Sequence, residues 1–286
     1  MRYKQKNINI VFWNCHGQDN KDENDIFVDF INELLEEKEV DILCLAESKS
    51  AVDDVFFENI EKSVKRKKFY CLAQSEYLSG VGRLRMYTHL GRKYFSKIMF
   101  TDRFLNVTFL KKFDLCFLHL KSLVSTPMTS KNIEDTIVYQ DIQKKTNKFM
   151  KFYIGDFNSP PYSDSLLNST TFNTVRIGED EGELENYRKV KNEDCNIRIN
   201  PCWRLLGNSN SGVYGTYLLE NANYHNLGYH LLDQVIYDKS LKSYFDESSL
   251  EIITGTLNKR LINSDGVLKE GYSDHLPLFF TLTGVV

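Results

Sequence analysis

The first third of the chain alternates between the apolar patterns of strands and helices. Residues 9–13 and 41–46 are short, nearly continuous apolar runs, which are typical of buried strands. Between them, apolar residues at helical spacing predict a helix with one buried face: Phe27, Phe30, Ile31 and Leu34. A second helix is predicted in the same way over Val55, Ile60 and Val64. This order is typical of a mixed α/β protein.

The middle of the chain changes to short strands in quick succession, a pattern typical of antiparallel sheet. These strands are predicted at residues 69–74, 82–88, 97–100, 106–110 and 114–118. A helix is then predicted from apolar residues at helical spacing: Ile133, Ile137, Val138, Ile142 and Phe149. It leads into a strand at residues 151–154. Later strands are predicted at residues 232–237, 250–253 and 276–282.

No linker divides these elements into separate units. Residues 168–210 are a long polar stretch, which we expect to be a surface loop with little regular structure. The chain has no Pro-, Gly- or Ser-rich linker and no internal repeat. The sequence therefore predicts a single domain, residues 1–286, in which helices lie outside two packed sheets.

Composition allows a large core and gives no global sign of a nucleic-acid partner. Hydrophobic residues make up 42% of the chain and aromatic residues 13%, whereas the net charge is −3. A bound cation would nevertheless supply positive charge locally, where a phosphate sits. Six cysteines without close paired spacing are expected to be free thiols, and no apolar run approaches the roughly 18 residues of a membrane span. We therefore expect a cytoplasmic protein that does not bind membranes.

Two polar motifs at strand ends carry the candidate chemistry. The strand predicted at 151–154, apolar from residue 152 onward, leads to Asp156 and Asn158, and Asp274 and His275 stand directly before the strand at 276–282. Carboxylate, carboxamide and imidazole groups at strand ends are what metal-assisted attack of water on a phosphate ester requires. An ordinary Asp/Asn turn that caps the next helix is the alternative for the first motif. The two motifs together favour catalysis.

Further polar residues stand at or just after the ends of apolar runs: Asn14, Glu47, His119 and Asp233. With them the chain resembles the endonuclease/exonuclease/phosphatase superfamily, from about residue 7 to the C-terminus. That superfamily includes deoxyribonuclease-I-like nucleases, abasic-site endonucleases and inositol-phosphate phosphatases. The resemblance implies a four-layer α/β/β/α sandwich with two packed, mixed and largely antiparallel sheets. It also implies Mg²⁺-dependent hydrolysis of a phosphoester, with Mn²⁺ as a possible substitute.

The resemblance implies a role for each of these residues. Asp156 positions or deprotonates the attacking water, and Asn158 donates a hydrogen bond to a phosphate oxygen. His275, oriented by Asp233, either activates the water or stabilises charge at the phosphorus, and the sequence leaves both open. His119 contacts the scissile phosphate or leaving oxygen, unless it is a strand-end histidine bonded to backbone. The metal ligands implied are Glu47, Asn14 and Asp274.

The chain departs from the family pattern at His16. Abasic-site endonucleases carry an acidic residue two places after the asparagine that corresponds to Asn14, so the sequence does not predict a second ligand here. Trp203 and Arg204 are candidates for substrate binding, with the guanidinium on a phosphate and the ring stacked on a base. Packing within the protein is the alternative for this pair.

The leading hypothesis is a nuclease that leaves 5′-phosphate and 3′-hydroxyl ends by direct attack of water. One alternative is the same chemistry on a phospholipid, an inositol phosphate or a small nucleotide. A lipid enzyme should show an exposed apolar hairpin or a membrane anchor, and the sequence shows neither. Another alternative is a catalytically inactive fold used for binding. It is disfavoured because every position of the proposed set carries competent chemistry.

Overall fold

The structure, a computed structural model, describes residues 7–18, 25–48, 68–74, 84–122, 128–146, 150–175, 185–206, 213–219 and 228–285. Its strands, in chain order, are β1 (Ile8–Asn14), β2 (Ile42–Ala46), β3 (Tyr70–Gln74), β4 (Arg85–Thr88), β5 (Phe95–Phe100), β6 (Phe104–Phe109), β7 (Phe113–His119), β8 (Lys151–Asp156), β9 (Thr174–Val175), β10 (Tyr187–Val190), β11 (Glu193–Asn196), β12 (Arg198–Ile199), β13 (Tyr217–Leu219), β14 (Gly228–His230), β15 (Asp233–Asp238), β16 (Phe245–Ile252) and β17 (Leu278–Leu282). The α-helices are α1 (Asp25–Glu37), α2 (Met128–Lys145) and α3 (Asp164–Leu167). Short 3₁₀ segments span Arg92–Tyr94, Pro201–Leu206 and Lys239–Tyr244. The helix predicted over Val55, Ile60 and Val64 lies outside the described residues.

Two large mixed sheets form the centre of the fold. One has six strands in the order β16–β17–β1–β2–β4–β3, and the other has seven in the order β5–β6–β7–β8–β15–β12–β9. Most neighbours are antiparallel, whereas β1 is parallel to β2, β7 to β8 and β9 to β12. The described strands also form two small hairpins, β10–β11 and β13–β14.

Alternate residues of the strands face different layers, because side chains of a strand point to opposite faces in turn. Phe12 of β1 shares a buried cluster with Phe117 of β7, between the two sheets. Val11 points to the other face and belongs to a cluster with residues of α1. On the far face of the seven-stranded sheet, Tyr153 of β8 clusters with Ile142 of α2. The predicted α/β/β/α sandwich with two mixed, largely antiparallel sheets is therefore confirmed.

The helix predicted from the spacing of Ile133, Ile137 and Ile142 is present as α2, but these residues are not all buried. Ile133 and Ile137 are 62% and 59% exposed. The buried face carries Ile142 together with Lys131 and Asp135. Apolar periodicity does not identify a face on which an ion pair is buried.

The polar stretch that was predicted to be a surface loop is partly regular structure. Its described part contains β9 to β12, and β12 lies within the seven-stranded sheet. Arg198 of β12 is buried, because Asp238 pairs with it at 3.0 Å and the rings of Tyr139 and Tyr153 cover its guanidinium. The prediction was wrong here since these partners lie elsewhere in the sequence and local polarity does not reveal them.

All six cysteines are free thiols, and Cys15, Cys44, Cys116 and Cys202 are buried. Within the described ranges, no helix combines the length and the hydropathy needed to cross a membrane.

Candidate active site

Strand ends from both sheets meet at one edge of the sandwich. Asn14 ends β1 and Glu47 follows β2, and these two strands are parallel. In the other sheet, His119 and Asp156 end the parallel strands β7 and β8 and are register partners. Strand β15 runs antiparallel to β8, so its first residue, Asp233, is the partner of Asp156. The sheet topology thus brings these side chains together at one edge, although they are distant in sequence.

The loop before β17 is hydrogen-bonded to residues at the end of β1. Strand β17 is antiparallel to β1, so the residues before it arrive where β1 ends. The hydroxyl of Ser273 donates to the carbonyl of Asn14 at 2.5 Å, and the indole N–H of Trp13 donates to the carbonyl of His275 at 2.8 Å. These buried hydrogen bonds place Asp274 and His275 beside the end of β1.

Asp156, Asp233 and His275 form a buried cluster whose ligand atoms all lie within 4.8 Å of one another. His275 Nδ1 lies 2.7 Å from Asp233 Oδ2. Burial lowers the pKa of His275, but the charges of Asp233 and Asp156 outweigh burial and raise this pKa to about 10. This raised pKa favours the protonated imidazole, whose Nδ1–H donates a hydrogen bond to Asp233.

Asp156 is oriented by amide groups on both of its oxygens. Oδ1 accepts the backbone N–H of Asn158 at 2.7 Å, and Oδ2 accepts the side-chain amides of Asn158 at 2.9 Å and Asn14 at 3.1 Å. Burial raises the pKa of Asp156, and the nearby charge of Asp233 raises it further. A fixed carboxylate with a raised pKa is suited to accepting a proton from water.

Glu47 is held in its ionised form by hydrogen-bond donors. Oε1 accepts the side-chain amide of Asn14 at 3.2 Å and lies 3.3 Å from His119 Nε2, while Oε2 lies 3.3 Å from His16 Nδ1. Burial raises the pKa of Glu47, but the hydrogen bonds from the two histidines and Asn14 bring it well below its ordinary value. This carboxylate is only partly buried, so solvent or a ligand can reach it.

His16 is a residue of the site that the sequence did not assign. Its Nδ1 lies 3.3 Å from Glu47 Oε2 and 3.6 Å from Asp274 Oδ1, and the hydrogen bond to Glu47 raises the pKa of His16. The only signal in the sequence was its position, two residues after Asn14. His16, Glu47 and Asn158 share a positive φ, at 47°, 52° and 49°.

His119 connects the two parts of the cluster. Its Nε2 lies 3.3 Å from Glu47 Oε1 and 3.7 Å from Asp156 Oδ2. The ring is almost fully buried, and its Nδ1 has no hydrogen-bond partner among the described residues. The side chain of His119 thus faces carboxylates of both sheets.

The predicted substrate-binding pair lies on the 3₁₀ segment Pro201–Leu206. Arg204 donates to the carbonyl of Leu250 at 2.6 Å, and the ring of Trp203 lies 6.3 Å from that of Tyr162. These are packing contacts, and the binding role of the pair stays a prediction. The ring of Tyr217 lies beside the cluster, with its centroid 4.8 Å from that of His275.

The donor atoms at this edge fit a divalent cation. Glu47 and Asp274 offer carboxylate oxygens on either side of His16, and Asn14 adds a carboxamide. Such hard oxygen ligands suit Mg²⁺. In the buried cluster Asp156 and Asp233 add further carboxylate oxygens, whereas a protonated His275 has no lone pair to give to a metal.

No protein-family model matches the sequence, and a search of curated proteins found no significant match. Solved structures are similar over nearly the whole chain. An AP endonuclease from Archaeoglobus fulgidus is 15% identical, with 96% of this chain and 98% of that chain covered and a TM-score of 0.55. An endonuclease/exonuclease/phosphatase family protein from Leptotrichia buccalis is 16% identical, with 96% and 99% covered and a TM-score of 0.56. The 3′ phosphatase NExo from Neisseria, bound to a product DNA hairpin, is 12% identical, with 96% and 98% covered and a TM-score of 0.56. At these identities the similarity is one of fold: this chain has the deoxyribonuclease-I-like α/β sandwich fold.

Proposed function

We propose that this protein is a Mg²⁺-dependent phosphodiesterase that hydrolyses nucleic acid, as an endonuclease or exonuclease. The observation that carries the proposal is the convergence, at one edge, of the buried cluster of Asp156, Asp233 and His275 with the ionised Glu47. Nucleic acid is favoured as substrate because one protein of similar fold is bound to a product DNA hairpin and another is an AP endonuclease.

Asp156 is assigned as the base that orients and deprotonates the attacking water. Its pKa is raised by burial, and the amides of Asn158 and Asn14 fix the direction of its lone pairs. Asn158 is assigned to donate to a phosphate oxygen, for which its amide would have to leave one of its two acceptors, Asp156 Oδ2 or the carbonyl of Leu120.

His275 is assigned as a cation that stabilises the charge developing at the phosphate. The sequence left open whether this imidazole is a base or a charged donor. Its raised pKa favours the charged donor, because a group that is already protonated cannot take a proton from water. Asp233 fixes the ring through Nδ1, and His119 is assigned to contact the scissile phosphate or leaving oxygen.

Glu47, Asn14 and Asp274 are assigned as the residues that would hold Mg²⁺ or Mn²⁺. A divalent cation there would supply Lewis-acid stabilisation of negative charge on the phosphate. Water is assigned as the nucleophile, because the hydroxyl of Ser273, which lies 3.3 Å from Asp274 Oδ1, is buried and donates to the carbonyl of Asn14. The 3′ oxygen is assigned as the leaving group, so direct attack of water breaks the bond from phosphorus to that oxygen and leaves 5′-phosphate and 3′-hydroxyl ends.

A screen of substrates tests this function. Wild-type protein is incubated with single-stranded DNA, duplex DNA, RNA, an inositol phosphate, a phospholipid and nucleotides, each with Mg²⁺, Mn²⁺ or EDTA. We expect cleavage of a nucleic acid with either metal, none in EDTA, and loss of cleavage in Glu47→Gln. Glu251→Gln is the matched control. Glu251 lies on β16 and is a partly buried carboxylate that forms an ion pair with Lys38. Full activity in EDTA, or hydrolysis only of a non-nucleic-acid ester, would contradict the proposal.

A further inference from the structure

A buried ion pair lies next to the turn that presents Asp156 and Asn158. Lys131 and Asp135 stand one turn apart on α2, and each is 1% exposed. The ammonium of Lys131 donates to both carboxylate oxygens of Asp135 at 2.7 Å and to the carbonyl of Phe157 at 2.9 Å. Since an ammonium has three N–H groups, all of its donors are used.

Stability alone does not account for this pair. Burial lowers the pKa of Lys131 and raises the pKa of Asp135, so burial disfavours the charged form of each residue. Apolar side chains of similar volume can often replace a buried ion pair with no loss of stability. What apolar side chains cannot supply is a hydrogen bond to the carbonyl of Phe157.

That carbonyl belongs to a residue that is held at three points. The backbone N–H of Phe157 donates to the carbonyl of Leu232 at 2.9 Å, and its ring packs edge-on against Phe172 with centroids 5.3 Å apart. The hydrogen bond from Lys131 is the third constraint. Phe157 lies between Asp156 and Asn158, so these constraints set the positions of both flanking side chains.

We propose that Lys131 and Asp135 are positioning residues for the reaction assigned to this site. Asp135 anchors the ammonium, the ammonium holds the Phe157 carbonyl, and the turn keeps the Asp156 carboxylate and the Asn158 amide aligned. Asn158 has φ of 49°, in the left-handed region that asparagine adopts more readily than most residues with a Cβ. The catalytic part of this inference rests on the proposed function, whereas the ordering of the turn is a property of the free protein.

The test replaces the ion pair by apolar residues in the double variant Lys131→Met with Asp135→Leu. The matched control is Lys151→Met with Asp114→Leu, a second buried pair, 3.5 Å apart, at the opposite end of β8. Both variants are compared with wild type by thermal unfolding, by kcat and KM on the nucleic acid that wild type cleaves, and by hydrogen exchange of a peptide that contains residues 155–159. We expect the Lys131/Asp135 variant to stay folded and to lose about 10- to 100-fold in kcat at nearly unchanged KM, the effect of a misplaced catalytic group.

Hydrogen exchange gives the readout that does not depend on activity. The amide of Asn158 is bonded to Asp156 Oδ1, so it should exchange faster in the Lys131/Asp135 variant and at the wild-type rate in the control. If the double variant does not fold, Asp135→Asn is used instead, because it keeps the side-chain size and one acceptor. This variant should show a smaller loss of kcat and a smaller increase in the exchange rate at Asn158. A folded variant with wild-type kcat and wild-type exchange would overturn the inference. If wild type cleaves no substrate, the proposed function fails, while faster exchange at Asn158 would still support the positioning of the turn.

Discussion

At the scale of single residues, the site places two ionisable groups in environments that favour different protonation states. Asp156 accepts hydrogen bonds from amides, and burial disfavours its ionised form and raises its pKa. It is therefore a stronger base than an exposed aspartate. His275 is buried as well, but two carboxylates keep it protonated. When the surroundings of two ionisable groups favour different protonation states, one group can act as the base and the other as the charged donor.

These two residues should act as a unit. Asp156→Asn and His275→Gln should each lower kcat by about 100-fold or more, and the double variant should lose far less than the product of the two losses. His89→Gln is the matched control, because His89 forms the same type of pair with Asp41, at 2.7 Å, at the start of β2. Kinetic measurement of the four variants checks this. Strictly multiplicative losses, or an equal loss in His89→Gln, would contradict the assignment.

The protonation of His275 can be measured directly in the metal-free protein. We expect its imidazole to titrate near pH 10 in the ¹⁵N NMR spectrum, since Asp233 and Asp156 stabilise the charged form. Asp233→Asn removes one of the carboxylate charges that offset burial. Burial should therefore lower the pKa of His275 by several pH units in this variant. Because the folded pKa is raised, the stability that this group contributes is complete below its ordinary value of 6.5 and is lost as pH rises through about 10. Titration of His275 near 6.5 in wild type would show that the pairing with Asp233 is not formed.

At the scale of elements, the parallel pairs and their antiparallel neighbours bring the site together. Gly155 is essential to the pair β7–β8, because a Cβ there would collide with the backbone carbonyl of Leu118. Gly155→Ala should therefore lower the free energy of unfolding by about 3 kcal/mol, the upper part of the range for overpacking. Gly91→Ala should be nearly neutral, since its Cβ would have neighbours only at 3.9 Å and beyond. Urea denaturation of both variants measures this, and equal stabilities would contradict the register of β7 and β8.

Most strands were predictable because their apolar runs are continuous and end in polar residues. Asp156, Asn158 and His275 stand out for the same reason: each follows or precedes a run that is otherwise wholly apolar. Lys131 and Arg198 could not be found this way. Their burial depends on Asp135 and Phe157, or on Asp238 and two tyrosine rings, and such partners are known only once the chain is folded.

At the scale of the whole molecule, the central core contains residues of both sheets, so we propose that residues 1–286 unfold as one domain. The two tryptophans allow a test. In Trp203→Phe the fluorescence reports on Trp13 of β1, and in Trp13→Phe it reports on Trp203 near the seven-stranded sheet. Within each variant the urea midpoint by fluorescence should coincide with that by circular dichroism. Separate midpoints would indicate two independently unfolding units.

The central claim is that the edge where both sheets end hydrolyses a phosphodiester by direct attack of water. The most direct test is cleavage of the preferred nucleic acid in ¹⁸O-labelled water with Mg²⁺, followed by mass spectrometry of the products from wild type and Asp156→Asn. The account predicts 5′-phosphate ends that carry the label, 3′-hydroxyl ends without it, and a rate in Asp156→Asn that is lower by orders of magnitude. Ends that are 3′-phosphate or 2′,3′-cyclic phosphate, or a wild-type rate in Asp156→Asn, would contradict it.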